Sequence, residues 1–226
     1  MKRIVLSPSS LSLFLECPRC FWLQVVKGVR RPASVFPSLP SGMDKILKEH
    51  FDRHRRENTH PEELHNLKGR LFQDIERLKV WRNPSRGLRF EDPETGIILM
   101  GAIDDLFITE DGLYAPIDFK TRGFPVKENT ANSSQNQMNI YTFLLEKNGL
   151  NPARFAILLY YHPITVNSFC NVEFHAETVK IPTNPKNAES VFYKAIEVIR
   201  GEIPERSKNC EFCNWSLKTS IERLEI

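Results

Sequence analysis

The chain has 226 residues, of which 41% are hydrophobic and 26% charged, and its formal net charge is +3. This composition is sufficient for a substantial core and argues against disorder, so we predict a single domain over residues 1–226. No apolar run approaches the ~20 residues that cross a bilayer, and the apolar segment after Met1, Lys2 and Arg3 is too short for a secretory signal. We therefore expect a cytoplasmic protein that has no membrane partner.

The first half of the chain is predicted to be mainly helical. In order, we expect an opening helix at residues 9–26, a proline-rich linker at 31–41, a charged helix at 42–57, a further helix at 61–80 and a strand near residue 89. Two clusters of basic side chains in this half either line a strand-binding groove or form solvated helix faces. They are Lys27, Arg30 and Arg31, and Arg53, Arg55 and Arg56.

The second half predicts a mixed sheet flanked by helices. Strands are expected at residues 97–109, 113–121, 155–161 and 169–181, with helices from Ser133 or Ser134 to about Gly149 and at 188–200. The sequence Asp111-Gly112 separates the first two strands and is a strong hairpin-turn signal. Those two strands should therefore be antiparallel neighbours.

The predicted hairpin brings polar side chains together. Residues alternate between two faces from Leu113 onward, so Asp118 and Lys120 point to the same face. Folding about the turn brings the Asp104-Asp105 pair within reach of Asp118, and only one of these two neighbours can face it. Two carboxylates and a lysine in this arrangement can hold a hard divalent cation and activate a water beside a phosphate. The alternative interpretation, without a functional role, is an acidic pair that flanks a solvated turn.

The helix that follows adds two polar side chains. Gln137 and Tyr141 are four residues apart and share one helix face. Their amide and hydroxyl groups can donate hydrogen bonds to a phosphate backbone. The alternative is an amphipathic core helix with Tyr141 as a boundary aromatic residue.

Four of the five cysteines form two Cys-x-x-Cys pairs. These pairs, Cys17 with Cys20 and Cys210 with Cys213, supply a complete set of four sulfur ligands for zinc or an iron-sulfur cluster. Four reduced thiols without a metal are the alternative, and disulfides are disfavoured in an intracellular chain. Cys170 falls in a predicted strand and is expected to be a small buried hydrophobic residue.

The motifs together resemble the PD-(D/E)XK nucleases of the RecB-like branch, which includes AddB-type nuclease domains and CRISPR-associated exonucleases. The resemblance covers most of the chain. It rests on Gly101-Ala-Ile-Asp104, Ile117-Asp118-Phe-Lys120, Gln137-Met-Asn-Ile-Tyr141 and the opening segment Ser7-Pro8-Ser9-Ser10-Leu11 with Leu15-Glu16-Cys17-Pro18-Arg19. A restriction-endonuclease-like α/β fold is implied, with an αβββαβ core and a mixed sheet flanked by helices.

The resemblance also assigns roles to the matching residues. The ligands of Mg²⁺ or Mn²⁺ would be Asp104 (rather than Asp105), Asp118 and the main-chain carbonyl of Phe119. Lys120 would orient the attacking water or stabilise the extra negative charge on phosphorus. Gln137 and Tyr141 would fix the substrate strand. Family members often carry a further histidine ligand, but Ile46 stands at that position here, so His50, one turn later, is the substitute candidate.

Several members of the branch hold a four-iron four-sulfur cluster through one amino-terminal and three carboxyl-terminal cysteines. This chain lacks the third carboxyl-terminal cysteine, and Cys20 can take its place. The resemblance favours the iron-sulfur cluster, with zinc as the alternative. Either metal is expected to join residues 1–41 to residues 203–226 in one cysteine centre.

The implied function is a metal-dependent DNA nuclease, expected to be an exonuclease of repair, recombination or CRISPR-type DNA processing. Its substrate would be DNA that is single-stranded or has free ends. No P-loop is present, so any helicase, CRISPR or recombination motor would be a partner. The competing hypothesis is a non-catalytic nucleic-acid-binding or assembly module that keeps the fold and a structural metal centre.

Overall fold

The computed structural model describes residues 3–33 and 35–222. Residues 1–2 and 223–226 at the ends of the predicted domain, and Ser34 in the predicted linker, lie outside the described residues. The first elements are β1 (Val5–Leu6), α1 (Pro8–Glu16), α2 (Pro18–Val26), α3 (Ser38–Glu57), β2 (Gly69–Leu71), α4 (Ile75–Trp81), β3 (Leu88–Glu91) and β4 (Ile98–Gly101). They are followed by β5 (Asp105–Thr109), β6 (Tyr114–Thr121), α5 (Gln135–Lys147), β7 (Phe155–Val166), β8 (Val172–Pro182), α6 (Pro185–Arg200) and α7 (Glu211–Glu222).

The chain divides into two compact units. Unit 1 is formed by the described parts of residues 1–35, 91–99 and 186–226, and unit 2 by residues 36–90 and 100–185. None of the helices in the described part of the chain is both long and apolar enough to cross a bilayer.

Unit 2 is built on a five-stranded sheet with the order β2-β5-β6-β7-β8. The β6 and β7 strands run parallel, and the other neighbouring pairs are antiparallel. The predicted antiparallel hairpin is confirmed for β5 and β6, and its register places Asp105 opposite Ile117. The single strand predicted at 97–109 was wrong, because it is two strands, β4 and β5, which belong to different sheets. A mixed α/β fold with a sheet flanked by helices was the predicted class, and the structure confirms it.

One face of the sheet packs on α3. Leu47 and Phe51 of this helix are buried against Ile117 and Phe119 of β6, and the rings of Phe51 and Phe119 lie 4.9 Å apart. Leu47 and Phe51 are four residues apart, so they lie on one helix face. The helix ends at Glu57 and is followed by Asn58, whose φ of 51° is the left-handed conformation found after many helices.

Unit 1 brings segments from distant parts of the chain together. Strand β1 pairs in parallel with β4, with Val5 opposite Ile98 and Leu6 opposite Leu99. The indole of Trp22 in α2 donates a hydrogen bond to the carbonyl of Gly201, at 3.2 Å. A small buried cluster contains Cys17, Cys20 and Cys210.

Two predicted helices were wrong. The opening helix is broken at Cys17, which adopts an extended conformation (φ −154°, ψ 102°) because Pro18 disfavours the helical region for the residue before it. The helix predicted at 61–80 is instead a 3₁₀ turn (Glu62–Leu64), strand β2 and the short helix α4. Gly69 in β2 has a φ of 148°, which is incompatible with a helix.

Candidate active site and cysteine centre

The β5–β6 hairpin places the two predicted carboxylates, Asp104 and Asp118, close to each other along the strands. Asp104 precedes the first paired residue of β5, and its Oδ2 accepts a hydrogen bond from the backbone N–H of Phe119, at 2.9 Å. Asp118 is next to Phe119 on β6, and its side chain is only 3% exposed. The strand pairing therefore holds Asp104 beside the segment of β6 that carries Asp118.

Two further predicted side chains contact Asp118, and a third, Tyr141, is linked to it through Gln137. The ammonium of Lys120 forms an ion pair with Oδ2 of Asp118 and donates to Oε1 of Gln137 at 3.1 Å. The Nε2 of Gln137 donates to Oδ1 of Asp118 and to the hydroxyl oxygen of Tyr141, both at 2.9 Å. The carboxamide of Gln137 thus bridges the carboxylate, the lysine and the tyrosine.

Gly101 is required by the packing of α5. A Cβ atom at this position would lie 2.9 Å from a ring carbon of Tyr141 and 3.0 Å from a methyl carbon of Leu144. Any larger residue would therefore push against the helix that carries Gln137 and Tyr141. This close approach explains the glycine of the Gly101-Ala-Ile-Asp104 motif.

The surroundings of Asp118 disfavour the ionised form of its carboxyl group. Burial, together with the charge of Asp104, raises the pKa of Asp118 to about 7, although Lys120 and Lys48 oppose the shift. Burial and the charge of Asp118 also raise the pKa of Tyr141, so its phenol stays protonated. Tyr141 can therefore donate a hydrogen bond but cannot act as a base near neutral pH.

The structure adds Lys48, which sequence analysis missed. Its Nζ lies 2.9 Å from Oδ1 of Asp104 and 2.7 Å from Oδ2 of Asp44, one turn earlier on α3. Burial lowers the pKa of Lys48, but Asp104 and Asp44 outweigh it and the net shift is upward. A charged pair four residues apart on a helix is an ordinary surface pattern, so the sequence carried no signal that Lys48 reaches Asp104.

His50 lies beside a different acid. Its Nε2 is 3.2 Å from Oε1 of Glu63, and its ring lies 4.7 Å from that of His54. Ile46, which replaces the family's histidine, is 60% exposed. The role of His50 as a metal ligand stays a prediction.

Asp105 belongs to a buried ionic network. Its carboxylate is fully buried and pairs with the guanidinium groups of Arg55 and Arg82, the latter at 2.8 Å. Both arginines also pair with Asp52. The suggestion that Arg55 lines a groove was therefore wrong, because this side chain is buried and neutralises Asp105.

Asp104 and Asp118 are suited to a hard divalent cation. Both offer carboxylate oxygens, which Mg²⁺ and Mn²⁺ prefer. Asp104 contributes to the raised pKa of Asp118, and a bound cation would relieve this repulsion. The residues present thus fit the metal that the motifs predict.

The four paired cysteines meet in unit 1 as a cysteine centre. Their Sγ atoms all lie within 4.8 Å of one another, with the Cys20 sulfur 3.4 Å from Cys213 and 3.6 Å from Cys210. Burial raises the pKa of Cys20 and Cys213, whereas at Cys17 the backbone and thiol hydrogen bonds outweigh burial and lower the pKa to about 6. Without a metal, Cys17 is thus the thiol of these three that most readily becomes a thiolate. A metal can be held by this cluster.

Arg31 lies against the cysteine centre. Its guanidinium donates a hydrogen bond to the Cys210 sulfur at 3.3 Å and pairs with Glu16 at 2.7 Å. It also lies 4.4 Å above the ring of Phe212. The positive charge is placed where it would offset thiolate charge.

Cys170 was expected to be buried, and this was wrong. It is exposed in the turn between β7 and β8, where its φ is 60° and its N–H donates to the carbonyl of Asn167 at 3.0 Å. The break between the two strands was predicted at residues 162–168, but the structure places it at 167–171, and β8 begins only at Val172. The predicted strand 169–181 therefore started too early and included Cys170.

The sequence matches the PD-(D/E)XK nuclease superfamily over residues 5–216. The chain therefore belongs to this superfamily, whose members are generally nucleases that use divalent metals. Among solved structures, the crystal structure of SSO0001 is 13% identical, with a TM-score of 0.44, and the alignment covers 96% of this chain and 86% of that chain. No curated protein matches the sequence.

Proposed function

We propose that the protein is a metal-dependent DNA nuclease that hydrolyses phosphodiester bonds at the Asp104–Asp118 site. The observation that carries this proposal is the convergence of Lys120 and Gln137 on the buried carboxylate of Asp118, beside Asp104. Asp118 is buried close to a second carboxylate, Asp104, whose charge helps to raise its pKa, and such a pair of like charges is unfavourable in an inert core. It is useful where a cation and a charged substrate complete the site.

In this proposal Asp104, Asp118 and the carbonyl of Phe119 hold Mg²⁺ or Mn²⁺, and His50 is a candidate for a further ligand. When bound, such an ion lowers the pKa of a water ligand and polarises the phosphate. Lys120 is on the same face of β6 as Asp118 and carries the charge that stabilises additional negative charge on the phosphate oxygens.

Gln137 and Tyr141 position these groups. The amide of Gln137 holds the Asp118 carboxylate and the Lys120 ammonium in a fixed relation. Tyr141, kept protonated by its surroundings, can donate its hydroxyl hydrogen to a phosphate oxygen. Together they orient the substrate strand while Lys120 faces the reacting phosphate.

The test is incubation with end-labelled single- and double-stranded DNA in the presence of Mg²⁺, Mn²⁺ or a chelator. We expect cleavage only with the metals, and products that shorten from one end if the enzyme is an exonuclease. Asp118→Ala and Lys120→Ala should each lower the rate at least ~100-fold. Asp111→Ala, in the exposed hairpin turn, is the matched control and should cleave normally.

Wild-type cleavage rates in Asp118→Ala or Lys120→Ala would remove the site assignment. Binding of DNA without cleavage under every metal condition would instead favour a non-catalytic module. The proposal further places the protein in the RecB-like branch, as a single functional domain over residues 1–226. It also includes a cytoplasmic location and a helicase, CRISPR or recombination partner.

For the cysteine centre we propose a structural metal. Tetrahedral Zn–S bonds of about 2.3 Å separate neighbouring sulfurs by about 3.8 Å, close to the 3.4 to 3.9 Å contacts of Cys20 and Cys17 with Cys213 and of Cys20 with Cys210. In a four-iron four-sulfur cluster each thiolate binds a different iron, which spreads the sulfurs further apart. The spacing supports zinc over the iron-sulfur cluster that the resemblance favoured.

A further inference from the structure

Unit 1 contains a groove beside the cysteine centre, with a volume of about 790 Å³. Its wall is formed by α2, the residues after it, the segment before α7 and α7 itself. Five cationic side chains and one carboxylate, Glu205, line it, although the whole chain carries a net charge of only +3. We call it the basic groove, and its principal residues are Arg19, Arg30, Arg206, Lys208, Phe212 and Trp215.

Aromatic rings stand among these charges. Trp215 is 67% exposed and Phe212 is 40% exposed, so both rings reach the solvent. The other two tryptophans, Trp22 and Trp81, are only 9% and 6% exposed. Trp215 therefore offers a ring face that the fold does not use for packing.

We propose that the basic groove binds single-stranded nucleic acid, with a base stacked on Trp215 and phosphates paired with the surrounding arginines and Lys208. Exposed aromatic rings interleaved with cations are the combination that recognises unpaired strands. A duplex presents the same phosphates but keeps its bases stacked on one another, so the rings give the groove a preference for single strands. The proposal rests on the nucleic-acid substrate suggested above and adds a second site for it.

The positive charge of the groove wall favours nucleic acid over a protein partner. The apolar part of the wall, which includes Val29, Leu23 and Leu217, could also cover a protein surface. Arg31 is already paired with Glu16, yet Arg19, Arg30, Arg206 and Lys208 still give the remaining wall a clear positive excess over Glu205. A polyanion is the occupant that this charge complements.

Tryptophan fluorescence gives a direct test, since Trp215 is the exposed one of the three tryptophans. The protein carries its cysteine-centre metal and the Asp118→Asn substitution, and no Mg²⁺ or Mn²⁺ is added. Single-stranded oligothymidylate of 12 nucleotides, or a 12-base-pair duplex, is the probe. We expect the single strand to quench the emission and to bind at least fivefold more tightly than the duplex.

Variants separate stacking from charge. Trp215→Leu should abolish the quenching and weaken binding of the single strand at least fivefold, measured by anisotropy of a labelled strand, whereas Trp215→Phe should retain most of the affinity. The double variant Arg206→Glu, Lys208→Glu should weaken binding. The slope of log Kd against log salt concentration should fall by roughly 1.4, because two phosphate contacts are lost. Lys194→Glu, exposed on α6 outside the groove, should change neither quantity.

Several outcomes would overturn the groove assignment. These are an unquenched Trp215, equal binding of single strand and duplex, or full affinity in Trp215→Leu with unchanged thermal unfolding. Cleavage by the wild type without any quenching would overturn the groove and leave the nuclease proposal standing. Quenching by the single strand without metal-dependent cleavage would support the groove and overturn the nuclease proposal.

Discussion

Asp104 and Asp105 are consecutive in the chain, yet their carboxylates bind different partners. Asp104 accepts a hydrogen bond from the backbone N–H of Phe119 and forms an ion pair with Lys48. Asp105 is fully buried and forms ion pairs with Arg55 and Arg82. Successive residues of a strand point to opposite faces, and the hairpin register decides which carboxylate meets Asp118. One acid thus belongs to the candidate active site and the other to the fold.

This difference predicts opposite phenotypes for two conservative substitutions. Asp104→Asn should lower the metal-dependent cleavage rate at least ~100-fold and change the free energy of unfolding by less than about 1 kcal/mol, because this side chain is partly exposed. Asp105→Asn leaves Arg55 and Arg82 with one buried acid fewer and should cost about 3–5 kcal/mol of stability. Urea unfolding and cleavage assays on both variants test this.

The cleavage comparison must be made at a temperature where both variants are folded. Under that condition Asp105→Asn should retain most of its activity. A stable, inactive Asp105→Asn protein beside an active Asp104→Asn protein would show that the two roles are exchanged.

The raised pKa of Asp118 predicts a pH-dependent stability of the metal-free protein. With a folded-state pKa of about 7 and an unfolded value near ~3.9, the folded protein binds more protons between those pH values. Stability should therefore fall as pH rises through this window, by on the order of 2 kcal/mol between pH 5 and pH 8. Thermal or urea unfolding in chelator measures it.

Asp118→Asn removes the titrating group, so this variant should lose less stability over the same pH range. Asp111→Asn, in the exposed turn, should behave like the wild type. Identical pH profiles for wild type and Asp118→Asn would contradict the raised pKa.

Lys48 predicts an effect on metal affinity. Its ammonium competes with a divalent cation for Asp104, so Lys48→Ala should tighten Mn²⁺ binding by roughly tenfold. Isothermal titration with Mn²⁺ measures this, and Lys45→Ala, exposed on the same helix, is the control. Weaker Mn²⁺ binding in Lys48→Ala would mean that the lysine supports the cation site indirectly, by holding Asp104 in place.

The cysteine centre predicts a bound metal and a stability effect. Protein purified without oxygen or chelator should be colourless with about one zinc per chain, or brown if the centre holds an iron-sulfur cluster. Cys17→Ser or Cys213→Ser should remove the metal and lower the melting temperature markedly. Cys170→Ser should change little, since this thiol is exposed in a turn. If elemental analysis finds neither iron nor zinc in this protein, the proposed metal centre is refuted.

The hairpin and its polar residues could be predicted because their signals are local. Alternation in β6 and the Asp111-Gly112 turn fixed the pairing of β5 and β6, and with it the side on which Asp118 and Lys120 lie. The Gln137 and Tyr141 spacing likewise gave their shared helix face, now seen in their hydrogen bond.

The errors came from residues whose structure depends on tertiary contacts. Leu64, Leu67 and Leu71 have helical spacing, but they reach the core from a 3₁₀ turn, a loop and a strand. Their burial against the sheet outweighs intrinsic helix propensity. Lys48 and Arg55 have the sequence context of solvated helix residues, and only the approach of Asp104 and Asp105 from the sheet gives them their roles.

The arrangement of the cysteine centre has a consequence for the timing of biosynthesis. Cys17 and Cys213 are 196 residues apart, so a ribosome that adds ~5–20 residues per second needs on the order of ten seconds or more to produce the second pair after the first. Throughout that interval Cys17 and Cys20 have no partner pair. A metal that requires all four thiols could therefore be loaded only after Cys213 has been synthesised.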